Sequence, residues 1–168
     1  TIVTNLFVAF VATTCGLFPN SRWGRFFSLA KVFGCVVTSI VFVGIVFHLL
    51  LSDIYNPDGI KAMANYLNHY ITPMAMLAYW LSFPTKQPMP VSIPFYWGIY
   101  PILYAIYIAI RGELIGKYPY FFLDVSTLGY PQALLNGAGL FLAVAAIGFV
   151  VRAGVHYTSR RQNIAVGN

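Results

Sequence analysis

The residues best suited to chemistry stand at the start of one apolar run, where an imidazole and several amide groups interrupt hydrocarbon side chains. Asn65, His69 and Thr72 are spaced by four and three residues, so a helix would place them on one face. Pro73 has no amide hydrogen, which leaves the carbonyl of His69 without its usual helical donor. Polar groups at membrane depth are costly and indicate function by default. We therefore expect a site around His69; the alternative is a histidine that only bonds to a neighbouring helix.

Three kinds of chemistry suit a histidine in this setting. A hydroxyl could attack an ester while the imidazole takes its proton, and Thr1 and Thr4 supply hydroxyls at the start of the first apolar run. His48 and His69 could instead be axial ligands to a haem. Zinc needs three or four ligands, and His48, His69 and Asp124 could supply three, without a recognisable spacing. The residues alone leave these options open, and we expect no cofactor.

Composition identifies an integral membrane protein. The chain has 168 residues, of which 59% are hydrophobic and 8% charged, and its mean hydropathy is +0.73. A soluble domain carries about 25% charged residues. The sequence shows no internal repeat and no long linker, so we treat residues 1–168 as a single domain.

Five apolar runs predict an all-α fold, a polytopic transmembrane helix bundle. The approximate spans are 2–18, 27–51, 64–83, 93–110 and 133–151. Each is near the ~20 residues that a spanning helix needs. None alternates in the way that the strands of a membrane barrel do.

The placement of the charges predicts the orientation. Seven of the ten basic residues fall, without any acid, in the loops after the first and third runs and in the tail: Arg22, Arg25, Lys31, Lys86, Arg152, Arg160 and Arg161. Basic residues favour the cytoplasmic face, so we expect Thr1 outside and the tail inside. The net charge of +6 is then a topology signal and a contact with membrane lipids, not a sign of nucleic acid. An odd number of spans with an outside start predicts a sixth helix upstream.

The unusual polar residues are expected at one depth, in the outer leaflet: Asn5, His48, Asn65, His69 and Arg111. A tyrosine stripe shares a helical face with Arg111, because Tyr100, Tyr104 and Tyr107 are spaced by four and three. The connection over 111–132 is rich in aromatic residues. It either folds back as a lid over the polar cluster or lies in the headgroup zone.

Five stretches carry a further likeness: TIVTNL at 1–6, VFHLL at 46–50, NYLNHYITP at 65–73, the region 100–112, and 118–124 with 129–130. Together they resemble the androgen-induced-protein-like family of multispan membrane hydrolases, in its bacterial branch. Animal members cleave fatty acid esters of hydroxy fatty acids with a threonine and a histidine inside the membrane. The resemblance implies a lipid-ester hydrolase, and we expect it in a bacterial inner membrane.

The resemblance places the catalytic histidine at His69 and the threonine at Thr1. The spacing from that threonine to the next amide is one residue longer than in the animal proteins, so Thr4 is the alternative nucleophile. From depth and helical face we expect supporting roles for Asn5, His48, Asn65, Arg111 and Asp124: three of them as candidate oxyanion donors (Asn5, Asn65 and Arg111), and Asp124, or else a backbone carbonyl, holding the imidazole tautomer. The expected lining of the acyl channel is Tyr100, Tyr104, Tyr107, Tyr118, Tyr120, Phe121 and Phe122.

The rival hypothesis is a non-catalytic accessory subunit. A small multispan protein with aromatic faces could pack against a larger respiratory or photosynthetic complex and bind lipid, quinone, pigment or haem. A fold need not keep the chemistry of its family.

Overall fold

The computed structural model describes residues 1–83 and 89–166, with side chains as far as Tyr157. Lys86, Arg160 and Arg161, which entered the charge argument, therefore lie outside the described side chains. The helices are α1 (Ile2–Leu17), α2 (Arg22–Phe27), α3 (Ala30–Leu50), α4 (Gly59–Tyr66), α5 (Thr72–Ser82), α6 (Ile93–Trp97), α7 (Ile99–Ile115) and α8 (Val125–Val166). A π-helical turn, Leu67–Ile71, joins α4 to α5, and a 3-10 turn, Phe121–Leu123, precedes α8.

This arrangement confirms the prediction of an all-α helix bundle, since the described residues contain no strand. Within the described ranges, three helical segments are long and apolar enough to cross a membrane: Ala30–Leu50, Ile93–Ile115 and Val125–Tyr157. The shorter α1 is apolar as well. The protein is thus a membrane protein with transmembrane helices.

Two helices begin earlier than the apolar runs suggested. The third run, predicted from residue 64, is helical from Gly59. The fifth, predicted from residue 133, begins at Val125 and bends at Gly129, whose φ of 72° is in the left-handed region that glycine tolerates. Pro131 then falls in the first turn after the bend, where its missing amide hydrogen is not needed. This explains why a helix runs through residues that the sequence alone presents as a connection.

The core forms around α3, which packs against α1, α5 and α8. Val36, Val37 and Ile40 on α3 are almost completely buried. Trp80 donates its indole hydrogen to the carbonyl of Val151, 3.1 Å away, and so joins α5 to α8. Trp97 donates to the carbonyl of Lys31 at 2.7 Å. Each indole thus buries a large ring and satisfies its one donor, which joins α5 to α8 and α6 to α3.

The other end of the bundle is more open. Helix α8 packs against both α3 and α7. Between α3 and α7 lies a cavity, and α7 reaches α1 there through the hydroxyls of Thr4 and Tyr100, 3.1 Å apart.

Candidate active site

His69 and Thr1 form a hydrogen-bonded pair with a defined direction. His69 Nε2 lies 3.1 Å from Thr1 Oγ1, and His69 Nδ1 lies 3.0 Å from the carbonyl oxygen of Asn65. A carbonyl only accepts, so Nδ1 carries the hydrogen and Nε2 of the neutral ring is the acceptor. The Thr1 hydroxyl therefore donates to Nε2, which is the arrangement of a nucleophile and its general base.

The π turn that carries His69 takes the usual helical donor away from the carbonyl of Asn68. The amide of Thr72 bonds to the carbonyl of Leu67, five residues back. Pro73 has no amide hydrogen to offer to Asn68 or His69. Asn5 on α1 compensates, because its side-chain amide donates to the carbonyl of Asn68 at 3.3 Å. Such turns are frequent at functional sites.

Asn5 also holds the start of its own helix. Its amide nitrogen donates to the carbonyl of Thr1 at 3.2 Å as well as to that of Asn68. The amide has two hydrogens, and both are used. Asn5 therefore positions Thr1 against the π turn and has no hydrogen left for an oxyanion.

Helix α3 supports the imidazole from the other side. The ring of Phe47 stacks on that of His69, with centroids 3.7 Å apart and an angle of 16° between the planes. One turn earlier, Gly44 faces the carbonyl oxygen of His69, and a Cβ there would lie 2.8 Å from that oxygen. Only glycine permits this approach. The sequence did not identify Gly44 or Phe47 as part of the site. Their spacing of three places them on one helical face, but a small residue in a membrane helix usually indicates helix packing alone.

Two phenol groups approach Thr1 from α7 and from the connection before α8. The Thr1 nitrogen lies 3.3 Å from the hydroxyl of Tyr120 and 3.5 Å from that of Tyr104. The two phenol oxygens are 3.2 Å apart. The connection thus folds back towards Thr1, which is one of the two arrangements expected for it.

A cavity of about 540 Å³ opens beside Thr1. Its walls come from α3, α7, α8 and the connection, and are largely apolar, with Phe42, Val46, Ala105, Ala109, Gly137 and Phe141 among them. Polar groups at its wall include the Thr1 hydroxyl and, close to the Thr1 nitrogen, the phenols of Tyr104 and Tyr120. The volume lies within the ~300–1,000 Å³ of small-ligand sites. An apolar ligand with one polar group beside Thr1 would match this distribution.

Four of the seven residues expected to line an acyl channel face this cavity: Tyr100, Tyr104, Tyr120 and Phe122. The other three do not line it. Tyr107 and Phe121 are exposed, and the hydroxyl of Tyr118 donates to Glu113 at 3.0 Å on the outer surface. Tyr118 and Phe121 belong to the connection, where no helical periodicity separates inward from outward side chains, so the sequence could not make this division for them. Tyr107 is on α7, three residues after Tyr104, and its ring is at the exposed edge of the tyrosine stripe.

The remaining expected residues have separate positions. His48 is exposed, pairs with the hydroxyl of Tyr70 at 3.3 Å and does not line the cavity. Asn65 contributes its backbone carbonyl, while its buried side-chain oxygen has no hydrogen-bond partner among the described residues. Arg111 is half-buried near the end of α7.

Asp124 does not hold the imidazole. Its carboxylate accepts from the amide of Ser126 at 2.9 Å and from the hydroxyl of that residue, which lowers the pKa of the carboxyl group. It therefore caps the start of α8. The backbone carbonyl of Asn65 is bonded to His69 Nδ1 instead, and it is therefore the group that fixes the histidine tautomer.

Thr4 does not have the geometry of a nucleophile, because its buried hydroxyl pairs with Tyr100. Haem ligation by His69 would require breaking its bond to Thr1 or to Asn65, since both ring nitrogens already have partners. Among the described residues, no three His, Cys, Asp or Glu side chains are grouped as metal ligands would be.

Comparisons with protein families, with curated proteins and with solved structures found no match for this chain. The site itself has a hydroxyl hydrogen-bonded to an oriented imidazole, at the edge of an apolar cavity.

Proposed function

We propose that the protein is an integral membrane hydrolase of lipid esters, with Thr1 as nucleophile and His69 as general base. The observation that carries this proposal is the 3.1 Å contact between Thr1 Oγ1 and His69 Nε2, with Nδ1 bonded to the Asn65 carbonyl. Two threonines were candidates from the sequence, and Thr1 alone of them has the imidazole as partner. The resemblance to the androgen-induced-protein-like hydrolases supports the same pair of residues, and we infer that the chain is a bacterial relative of them.

In the first half of the reaction, Thr1 Oγ attacks the carbonyl carbon of the ester while its proton passes to His69 Nε2. The new Oγ–C bond forms and the carbonyl electron pair moves to the oxygen. When the tetrahedral intermediate collapses, the bond to the leaving alkoxide breaks and Nε2–H returns the proton to it. The products are a free alcohol and an acyl group on Thr1.

In the second half, water takes the place of the alcohol. His69 accepts a proton from the water as its oxygen attacks the acyl carbon, and returns a proton to Thr1 Oγ as the bond from that oxygen to carbon breaks. The carboxylic acid leaves and the resting pair is restored. The Asn65 carbonyl keeps Nδ1 protonated throughout and stabilises the imidazolium that forms.

The substrate is an ester whose apolar chain occupies the cavity between α3 and α7. We propose that it enters sideways from the outer leaflet of a bacterial inner membrane, with Thr1 towards the outside and the tail in the cytoplasm. The clustering of basic residues in the loops on the opposite side supports this orientation.

The proposal is tested with the purified protein in lipid nanodiscs, assayed on p-nitrophenyl octanoate and palmitate. Thr1→Ala and His69→Ala should each lower kcat by about 10³-fold or more, because neither group can act without the other. His48→Ala is the matched histidine control and should leave kcat unchanged, since His48 is exposed and bonded to Tyr70.

Full turnover by His69→Ala would contradict the proposal. Wild-type protein that is inactive on every ester and copurifies in fixed proportion with a larger membrane complex would instead favour the accessory-subunit hypothesis. An absorbance band that vanishes in His48→Ala would indicate haem.

A further inference from the structure

We propose that the phenol groups of Tyr104 and Tyr120 together form the oxyanion-binding site of this reaction. The inference rests on the proposed ester hydrolysis and adds two catalytic residues to it. Both phenols lie at the cavity wall beside Thr1, and neither is bonded to His69 in the resting pair.

The position of the pair suits the charge that develops. Both hydroxyls lie within 3.5 Å of the Thr1 nitrogen, which is two bonds from the Cβ atom that carries the nucleophilic oxygen. When Thr1 Oγ1 attacks an ester, the carbonyl oxygen of that ester comes to lie two bonds from Oγ1. The imidazole contacts Thr1 Oγ1 whereas the phenols contact the Thr1 nitrogen, so proton transfer and oxyanion binding would use separate groups.

The hydrogen-bond count leaves a donor available. Tyr104 and Tyr120 are 3.2 Å apart, so one phenol donates to the other. The second phenol hydrogen has no acceptor among the described residues, and the Thr1 nitrogen next to it is a donor. One phenol hydrogen is thus left over at the wall of a cavity beside a nucleophile, and a carbonyl oxygen is the acceptor that a substrate would bring.

The other candidate donors are less suitable. Both amide hydrogens of Asn5 are bound to carbonyl groups, of Thr1 and Asn68. Neither Asn65 nor Arg111 faces the cavity, whereas both tyrosines do.

The phenols are also held in place before substrate arrives. The ring of Tyr120 stacks on that of Phe122, with centroids 5.4 Å apart and 15° between the planes. Asn136 on α8 donates to the carbonyl of Phe122 at 2.9 Å, which fixes the connection to the bundle. Tyr104 is on the regular helix α7. Donors fixed in advance are the ones that stabilise a transition state most effectively.

During attack, the carbonyl π electrons move onto the oxygen and the phenol hydrogen bonds strengthen. The phenols keep their protons, and the only proton in transit moves between Thr1, His69 and the leaving group. Removing a donor should therefore lower kcat and leave the binding of uncharged substrate almost unchanged.

The experiment compares Tyr104→Phe, Tyr120→Phe and the double variant with Tyr107→Phe, which changes an exposed tyrosine on α7. Each single variant should lose about tenfold to 10²-fold in kcat, and the double variant about 10²-fold to 10³-fold, with KM nearly constant. The control should match the wild type. A second measurement uses an acyl trifluoromethyl ketone, which forms a tetrahedral adduct with a nucleophilic hydroxyl, and an ether of the same chain length, which forms none.

Affinity for the ketone should fall in parallel with kcat, while affinity for the ether stays constant. Wild-type kcat in the double variant would overturn the phenol assignment, as would an equal loss of affinity for ketone and ether, which indicates a merely structural role. Activity that survives in Thr1→Ala and His69→Ala would overturn the proposed function and the oxyanion site with it.

Discussion

Asn5 donates to the carbonyl oxygen of Asn68 across 3.3 Å, and this bond ties α1 to the π turn that carries His69. That carbonyl is available because the amide of Thr72 bonds to Leu67 instead and Pro73 has no amide hydrogen. The bond from α1 to the π turn therefore helps to set the distance between the Thr1 hydroxyl and the His69 imidazole.

Replacing Asn5 by Asp tests this positioning role. The carboxylate has the same shape, but it would face the carbonyl oxygens of Thr1 and Asn68 without a hydrogen to share. We expect kcat on p-nitrophenyl octanoate to fall by about tenfold to 10²-fold, as small misplacements of reacting groups do. Asn56→Asp, at an exposed position outside the helices, is the control. Equal kcat values for the two variants would show that the tie has no role in catalysis.

Gly44→Ala tests the close approach of α3 to His69. The added methyl group would lie 2.8 Å from the His69 carbonyl oxygen and 3.1 Å from a ring carbon of Pro73. Overpacking of this kind lowers the free energy of unfolding by about 1–3 kcal/mol. We expect a lower Tm together with a reduced kcat.

Gly16→Ala on α1 provides the comparison, because no atom lies within 4 Å of the position that its methyl group would take. Alanine there should raise Tm slightly, since glycine weakens a helix interior. A Gly44→Ala protein with unchanged Tm and kcat would mean that α3 shifts away without affecting the imidazole.

Gly137→Leu tests whether the cavity holds the acyl chain. Gly137 lines the cavity and has open space at its Cβ position, so the side chain of a leucine there would take up part of the cavity volume. Turnover of palmitate esters should fall by about tenfold or more relative to octanoate esters, because each excluded methylene group loses its apolar contacts. The ratio of kcat/KM for the two esters is the measurement.

Gly139→Leu is the matched control on α8. Gly139 also has open space, but it does not line the cavity. Its chain-length ratio should equal that of the wild type. The same shift in both variants would point to a general effect on α8 and not to a channel.

Covalent labelling tests the identity of the nucleophile. Protein quenched in acid during turnover of a slow ester should carry the acyl group on Thr1, located by mass spectrometry of peptides. His69→Ala should show no label, because nothing then removes the hydroxyl proton. Thr1→Ser should still be labelled. An acyl group on Thr4 would transfer the nucleophilic role to the hydroxyl that now pairs with Tyr100.

The sequence predicted the bundle well because long apolar runs permit few structures other than helices. It also selected His69, since an imidazole in such a run is rare enough to be noticed. It could not choose between the Asp124 carboxylate and a backbone carbonyl as the partner of Nδ1, because that choice depends on where a connection folds. Asp124 instead caps α8 through its bond to Ser126, which leaves the carbonyl as the partner.

The contribution of α3 was beyond sequence reasoning for a different reason. Gly44 and Phe47 are ordinary residues for an apolar helix, and their effect arises only from contact with the π turn. The π turn itself has no firm sequence signal apart from Pro73. Tyr120 and Tyr118 are similarly indistinguishable in the sequence, although one approaches Thr1 and the other bonds to Glu113.

The two indole bonds made by Trp80 and Trp97 involve no residue that lines the cavity. They join α5 to α8 and α6 to α3. The contacts beside Thr1 are made instead by phenol hydroxyls, those of Tyr104 and Tyr120. A substitution that removes one of these hydroxyls would leave both tryptophan bonds intact, so a loss of turnover would be separable from a loss of the folded bundle.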